Sequence, residues 1–283
     1  MKNYEKINVK LDEQNMVEEF NQVELDIMLS CDEYNDMMTY ASINAYENLI
    51  SKLQKHGYQF ASYHDYKSFE KSVIMRHDID YSLQKSVELA EFENQLGIQS
   101  TYFILISSPF YNIVSKDAVE KIKKIQNAGH EIGLHFDELN YDESEYDKIG
   151  GVEKAIYREI DLMNTILECD IKSVSMHRPS PKTLQASYDL GTIVNSYSKE
   201  FFEGFKYVSD SRRRWRENVD EIISCGLYNK LHILTHAFWY NKKEVTLETT
   251  IRNFITKAGL ERYEILETNI SDLQSIVKKD DVI

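Results

Sequence analysis

From residue 72 onward the chain alternates short apolar runs with stretches whose apolar residues recur at helical spacing. SVIMRHD reads as a buried strand, and SLQKSVELAEFENQLG as a helix with Leu83, Val87 and Ala90 on one face, ending at Gly97. STYFILIS predicts a second strand, and SKDAVEKIKKIQNAG a helix capped by Ser115, with Val119, Ile122 and Ile125 on its face. There follow HEIGLHF (strand), GVEKAIYREIDLMNTILE (helix), IKSVSMH, TIVNSY, FKYVSD and LHILTHAF (strands) and LETTIRNFITKAG (helix). Upstream, AYENLISKL has helical spacing and stops near Gly57, while the first 35 or so residues are acidic and polar, as in a peripheral helical extension. Strands alternating with helices imply a mostly parallel sheet covered by helices, either a barrel or a doubly wound sheet.

Acids and histidines fall repeatedly where an apolar strand runs out: Asp78 and Asp80, His135, His177, Asp210 and His236. In a parallel barrel the C-terminal strand ends converge at one mouth, where barrel enzymes place their chemistry. Five such ends from separate segments form a constellation.

Composition narrows the partners. The 283 residues suffice for one large α/β barrel or two modest domains, and 42% hydrophobic residues allow a sizeable core. A formal net charge of −14 argues against generic binding to nucleic acid or anionic membrane. No apolar run approaches the roughly 20 residues that span a bilayer, and MKNYEKINVKLDEQNMVEEF lacks the apolar core of a secretory signal, so a cytoplasmic location is expected. Cys31, Cys169 and Cys225 lie far apart with no CxxC, which predicts buried free thiols rather than a zinc knuckle or disulfide framework.

Each motif carries its own chemistry. In RHDID, Asp78 and Asp80 are two apart and project to the same side of an extended backbone, where they repel unless a cation or a proton relieves them. One then binds a divalent metal and the other acts as a general base; alternatively, Asp80 caps the following helix. In GHEIGLHFDEL, His130 and His135 are five apart, on opposite sides of a strand and roughly 16 Å apart, so they cannot share a metal. His130 and Glu131 open the strand away from the mouth and read as structural; His135 ends it and is the better ligand. SMHRPSP ends a strand with His177, a ligand candidate or a turn residue, followed by Arg178, which suits a carboxylate or a substrate anion. YVSDSRRRWRE sets Asp210 beside Arg212, Arg213, Arg214 and Arg216 around Trp215, a local basic cluster for an anionic ligand or a solvated helix start, with Trp215 either core or a platform for a sugar ring. In LHILTHAFWY, only His236 reaches the mouth, as general acid or oxyanion stabiliser; His232, four residues earlier, reads as buried and structural.

In this order, these segments resemble the polysaccharide deacetylase family (the NodB-homology domain, carbohydrate esterase family 4) over about residues 45–260. RHDID resembles its first motif, in an Asp-x-Asp variant, with Asp78 at the general base and Asp80 at the metal-binding acid. GHEIGLH resembles the second, with His135 at the first metal histidine. HRP resembles the third, an Arg-x-Pro that places His177 at the arginine position. SDSRRRW loosely resembles the fourth, and ILTH the fifth, with His236 at the catalytic histidine. The family carries another histidine four residues after the first, and here that position is Leu139. Catalytic zinc usually has three protein ligands. The third would be His177, which this reading favours, or Asp137 or Glu138; otherwise the metal is weak or absent.

The resemblance implies a distorted (β/α) barrel of mostly parallel strands over 45–283, preceded by a partly helical N-terminal extension over 1–44. It implies a metal-dependent hydrolase, most readily with Zn2+, that removes an acetyl or formyl group from an amino sugar, with Asp78 as base, His236 as acid, and Asp80, His135 and His177 on the metal. Arg178, Asp210, Arg212 and Trp215 would bind substrate, a nucleotide- or lipid-linked sugar destined for surface polysaccharide. The alternatives are hydrolysis of a non-sugar C–N bond such as a cyclic amide, and a catalytically inactive carbohydrate-binding descendant.

Overall fold

The computed structural model describes residues 41–282; the expected extension over 1–44 lies almost wholly outside the described residues. The central element is β2 (Ser72–Ile79), buried along its whole length. It pairs in parallel with β3 (Thr101–Ile104) on one side and β8 (Lys230–Thr235) on the other. Beyond β3 come β4 (Glu131–Asp137), β5 (Ser173–His177) and β6 (Val194–Asn195); beyond β8 comes β7 (Lys206–Ser209). A two-residue β1 (Gln59–Phe60) pairs with the start of β2. Every pairing is parallel, and β6 and β7 end the sheet without joining, so the expected barrel is a half-barrel. Side chains line the opening: Phe202 stacks between Tyr197 and Tyr207 with centroids 5.2 and 5.3 Å away.

Helices follow strands as the periodicity predicts. α1 (Ile43–Lys55) is capped by Ser42, α2 (Leu83–Gln95) by Ser82 and α3 (Lys116–Asn127) by Ser115. Thus the cap of α2 is the hydroxyl at 82, not Asp80, whose carboxylate stays free for other work. α4 (Glu143–Ile149), closed by a capping box between Asp142 and Glu145, was not foreseen; it is one short polar turn pair with no buried residue to give a period. α5 (Val152–Leu167), α6 (Pro181–Gln185), α7 (Lys199–Glu203) and α8 (Val219–Ser224) lead to the 21-residue α9 (Leu247–Glu267) and α10 (Leu273–Ile276). The strand expected over 192–197 shrinks to two residues because β6 is an edge that pairs only with Ser173 and Val174. Among the described residues no helix is long and apolar enough to cross a membrane. Of the cysteines, Cys31 lies outside the described residues and Cys169 is half-buried. Cys225, expected inside, is exposed at the end of α8, where the apolar face of that helix has already passed.

Strand alternation divides β2 into two chemistries. Val73 and Met75 pack outward with Leu231 and Ile233 against α1, α2 and α8, while Ile74 joins Phe103, Tyr63 and Phe201 within the half-barrel. Gly133 on β4 is required by this interior: a Cβ there would stand 2.5 Å from the Phe103 ring and 2.7 Å from Ser173 Oγ. On the outward side, His77 and the wholly buried Glu93 of α2 form a hydrogen-bonded polar core. The Glu93 carboxylate accepts from Tyr46, from Ser100 at 2.8 Å, from Tyr102 at 2.7 Å and from His77 Nε2 at 3.0 Å. His77 Nδ1 meets Thr235 Oγ1 at 2.7 Å, tying β2 to β8.

Burial pushes the Glu93 carboxyl up, but His77, His130 and the Tyr46 hydroxyl outweigh it and hold the group at about 2, below its ordinary 4.5. A depressed carboxyl stabilises the fold above its unfolded value and loses that contribution as pH falls through its folded one. We therefore expect urea unfolding to show Glu93→Gln less stable than wild type by on the order of 3 kcal/mol at neutral pH. The gap should narrow progressively between pH 4.5 and pH 2; a pH-independent gap would contradict it.

Candidate active site

Inside the half-barrel, β2 presents Arg76 and Asp78, both inward by alternation. Arg76 is wholly buried, and its guanidinium donates to both carboxylate oxygens of Asp78, Nη2 to Oδ2 at 2.6 Å and Nε to Oδ1 at 3.2 Å. Its remaining hydrogens reach Ser196 Oγ at 2.9 Å and the Ser175 hydroxyl, and its plane lies over Phe103 and Tyr197. Burial raises the Asp78 carboxyl, but the Arg76 charge, helped by His135 and His236, holds it below the usual carboxylate range. The motif reading passed over Arg76, although its two-residue spacing from Asp78 places both on one side of the strand.

At the end of the same strand, Asp80 meets two histidines from neighbouring strands. His135 lies two residues before the end of β4 and His177 ends β5, with His177 in register with Asp137. Asp80 Oδ1 lies 3.4 Å from His135 Nε2 and 3.5 Å from His177 Nδ1, and those two ring nitrogens are 3.1 Å apart. The three ligand atoms fall within 4.8 Å of one another. Asp80 Oδ1 is buried and has no hydrogen-bond partner, which is the state of an oxygen reserved for a cation. A carboxylate and two imidazole nitrogens are the donor set that zinc and related divalent ions take. These residues fit a metal.

The two other candidates for the third position are occupied within the protein. Asp137 accepts from the Leu139 amide and from Arg178, and Glu138 holds the Ser180 amide and the Thr183 hydroxyl. Leu139 is exposed on the short turn that follows β4.

His236 closes the far side, its Nε2 3.9 Å from Asp80 Oδ2. Asp210 orients it: Oδ1 accepts from His236 Nδ1 at 2.7 Å, and Oδ2 accepts from the His236 amide at 3.2 Å and from the Tyr240 hydroxyl at 3.0 Å. Burial lowers the His236 pKa, but the hydrogen bond and charge of Asp210 raise it to about 9. Asp210 thus corrects one expectation. Both its oxygens are turned to His236 and Tyr240 rather than to a substrate.

The other predicted residues separate. Arg178 sits at the rim with a left-handed backbone, φ 46°, beside Asp137. Arg212 is also left-handed, φ 58°, and its charge, like that of Arg178, reaches Tyr81: burial and Asp80 raise the tyrosine hydroxyl, and the two arginines pull it down. Two such residues beside the cluster mark backbone held in a sparsely populated conformation. Arg213 turns inward and donates to the Val245 carbonyl. Trp215 is not brought to the cluster; it packs partly buried against the Val73, Met75 and Val219 core. His232 is buried under Tyr63, whose hydroxyl meets Nε2 at 2.7 Å. His130 is buried too, taking the Ser100 amide on Nδ1 and placing Nε2 on the Ala90 carbonyl. It lines, with His64, Glu131 and Lys172, a cavity of about 340 Å3 at the opposite ends of the strands, away from the cluster.

Comparison with known proteins gives no matching family model and no matching curated relative. Solved structures do align. The chain is 13% identical to the peptidoglycan deacetylase PdaC from Bacillus subtilis, with a TM-score of 0.40, covering 65% of this chain and 83% of that one. It is 15% identical to a family 4 carbohydrate esterase from Bacillus anthracis, with a TM-score of 0.39, covering 81% and 85%. A pseudoenzyme of the same esterase family, also from Bacillus anthracis, aligns at 13% identity and a TM-score of 0.37 over 65% and 60%. At such identities the chemistry is read from this chain's own residues.

The Arg76–Asp78 pair yields a test. Arg76→Met strands a buried carboxylate and is expected to cost about 3–5 kcal/mol by urea unfolding, whereas adding Asp78→Leu recovers most of the loss. Equal instability of the single and double variants would contradict the pairing.

Proposed function

We propose that this protein is a metal-dependent hydrolase that removes an N-acyl group, acetyl or formyl, from an amino sugar carried on a nucleotide or lipid, in the cytoplasm, for surface polysaccharide synthesis. The observation that carries the reading is the convergence of Asp80, His135 and His177, with Asp78 on one side and His236 on the other. Asp80, His135 and His177 would hold the cation. When bound, zinc or a similar ion supplies a Lewis acid that polarises the acyl carbonyl and acidifies water, which a carboxylate as acidic as Asp78 requires of its proton donor.

The chain's own groups supply the proton traffic. Asp78 stays ionised at neutral pH because Arg76 holds it so, and its Oδ2 lies 3.7 Å from His135 Nε2, beside the cluster. It takes the proton of the attacking water. His236 spends Nδ1–H on Asp210 and, at a pKa of about 9, keeps a second proton on Nε2 at neutral pH. That proton goes to the leaving amine. Arg178 and Arg212 stand at the rim, where guanidinium groups suit the phosphates of a carrier.

Assay against N-acetyl and N-formyl amino sugars, free and as nucleoside diphosphate conjugates, tests this directly. Asp78→Asn is expected to lose about 10²–10⁴-fold in kcat, chelation to abolish turnover, and added zinc to restore it. Arg212→Ala should raise KM for the conjugate and leave that for the free sugar unchanged. Undiminished turnover by Asp78→Asn would overturn the proposal.

A further inference from the structure

We infer that Glu93 and His77, on the outward side of β2, are positioning residues for His236: with Thr235, Asp210, Tyr240 and Tyr46 they close a ring of contacts that fixes the imidazole from two directions. The first route crosses the strands. Glu93 Oε1 meets His77 Nε2 at 3.0 Å, and His77 Nδ1 meets Thr235 Oγ1 at 2.7 Å. His77 and Thr235 are register partners on β2 and β8, both wholly buried. Thr235 is the last residue of β8, and His236 is the next. The second route runs through aromatic rings. Tyr46 donates to the same Glu93 oxygen and packs edge-on against Tyr240, with centroids 4.9 Å apart. The Tyr240 hydroxyl donates to Asp210 Oδ2 at 3.0 Å, and Asp210 Oδ1 holds His236 Nδ1 at 2.7 Å.

Hydrogen positions give the first route a direction. An ionised Glu93 only accepts, so His77 Nε2 carries a hydrogen, a tautomer assigned from the charge of its partner. The neutral ring then offers Nδ1 as an acceptor, and the single hydroxyl hydrogen of Thr235 goes to it. That bond pins Thr235 to the outward face. His236 is still extended, φ −117° and ψ 114°, so alternation turns it to the opposite face, where its Nε2 looks toward Asp80. Stability alone does not ask for this reach. Ser100 at 2.8 Å and Tyr102 at 2.7 Å also satisfy the Glu93 carboxylate and lead no further, whereas His77 and Tyr46 each continue from it toward one imidazole. A group that hands a proton to a leaving amine works only within a narrow range of angles and distances, which two independent supports can impose.

Nuclear magnetic resonance of the full chain, with isotope-labelled histidine, reads the His236 Nδ1–H that Asp210 holds, identified by its loss in His236→Gln. Thr235→Val keeps the side-chain shape, removes the hydroxyl and should shift or broaden that resonance; Thr235→Ser should restore it. His77→Gln, whose amide stands in for Nε2 toward Glu93 but gives Thr235 no acceptor, should match Thr235→Val. Ser100→Ala removes a different bond to the same carboxylate and should leave the resonance in place. The kinetic consequence rests on the hydrolase reading: Thr235→Val and His77→Gln should each lose about ten-fold in kcat, with KM and zinc affinity unchanged. The resonance needs no turnover, so an inactive wild-type chain would count against the hydrolase reading while the ring is still decided by the spectra. An unmoved resonance in Thr235→Val or His77→Gln, an equal change in Ser100→Ala, or an undiminished kcat in an active chain would overturn the inference.

Discussion

A single ion pair inside the half-barrel sets the terms for everything at its mouth. Burying the Asp78 carboxylate alone would cost several kcal/mol, and the cost is met only because Arg76, two residues earlier on β2, turns both its edges to useful partners. The guanidinium that neutralises Asp78 also donates to Ser175 on β5 and to Ser196 just past β6. One side chain at the centre of the sheet thereby reaches across to its far edge. Asp78 is held ionised and the strands that bring His177 into place are held in the same act.

The outward side of β2 repeats the device with different residues. His77 lies between Arg76 and Asp78 in sequence but faces Glu93, and its other nitrogen meets Thr235, the residue before His236. Tyr46, bound to the same Glu93, packs its ring edge-on against Tyr240, whose hydroxyl supports Asp210. The Asp210–His236 side of the site is thus anchored on one face of the sheet and the Arg76–Asp78 side on the other. Buried polar groups of this density are tolerable only when satisfied, and His77, Glu93 and Asp210 each find their partners.

Much of this was legible in the chain. Apolar runs that end abruptly in Asp80, His135, His177 and His236 announce both the parallel sheet and the common mouth, because strand ends in such a sheet converge. Strand geometry alone separates His130 from His135 and His232 from His236; His130 is buried with both ring nitrogens bonded, and His232 is buried with Nε2 on Tyr63. The fold gathers Asp80, His135 and His177 within 4.8 Å of one another, and the proposed cation site rests on that grouping. What stayed hidden depended on contacts between distant segments. Asp210 read as a substrate group because nothing local marks it as the partner of His236 twenty-six residues on. Trp215 reads as either core or sugar platform because its burial is decided by β2 and α8. Arg76 had a local signal, its spacing from Asp78, that a search for acids and histidines does not weigh. The half-barrel's open edge turns on how few residues of β6 pair, which composition does not record.

The central claim is that Asp80, His135 and His177 form one cation site. Calorimetric titration of zinc into the purified protein tests it most directly. The account predicts one equivalent bound, with affinity lower by about a hundred-fold or more in His177→Ala and little changed in Asp137→Asn or Glu138→Gln. Unaltered zinc binding by His177→Ala would contradict it.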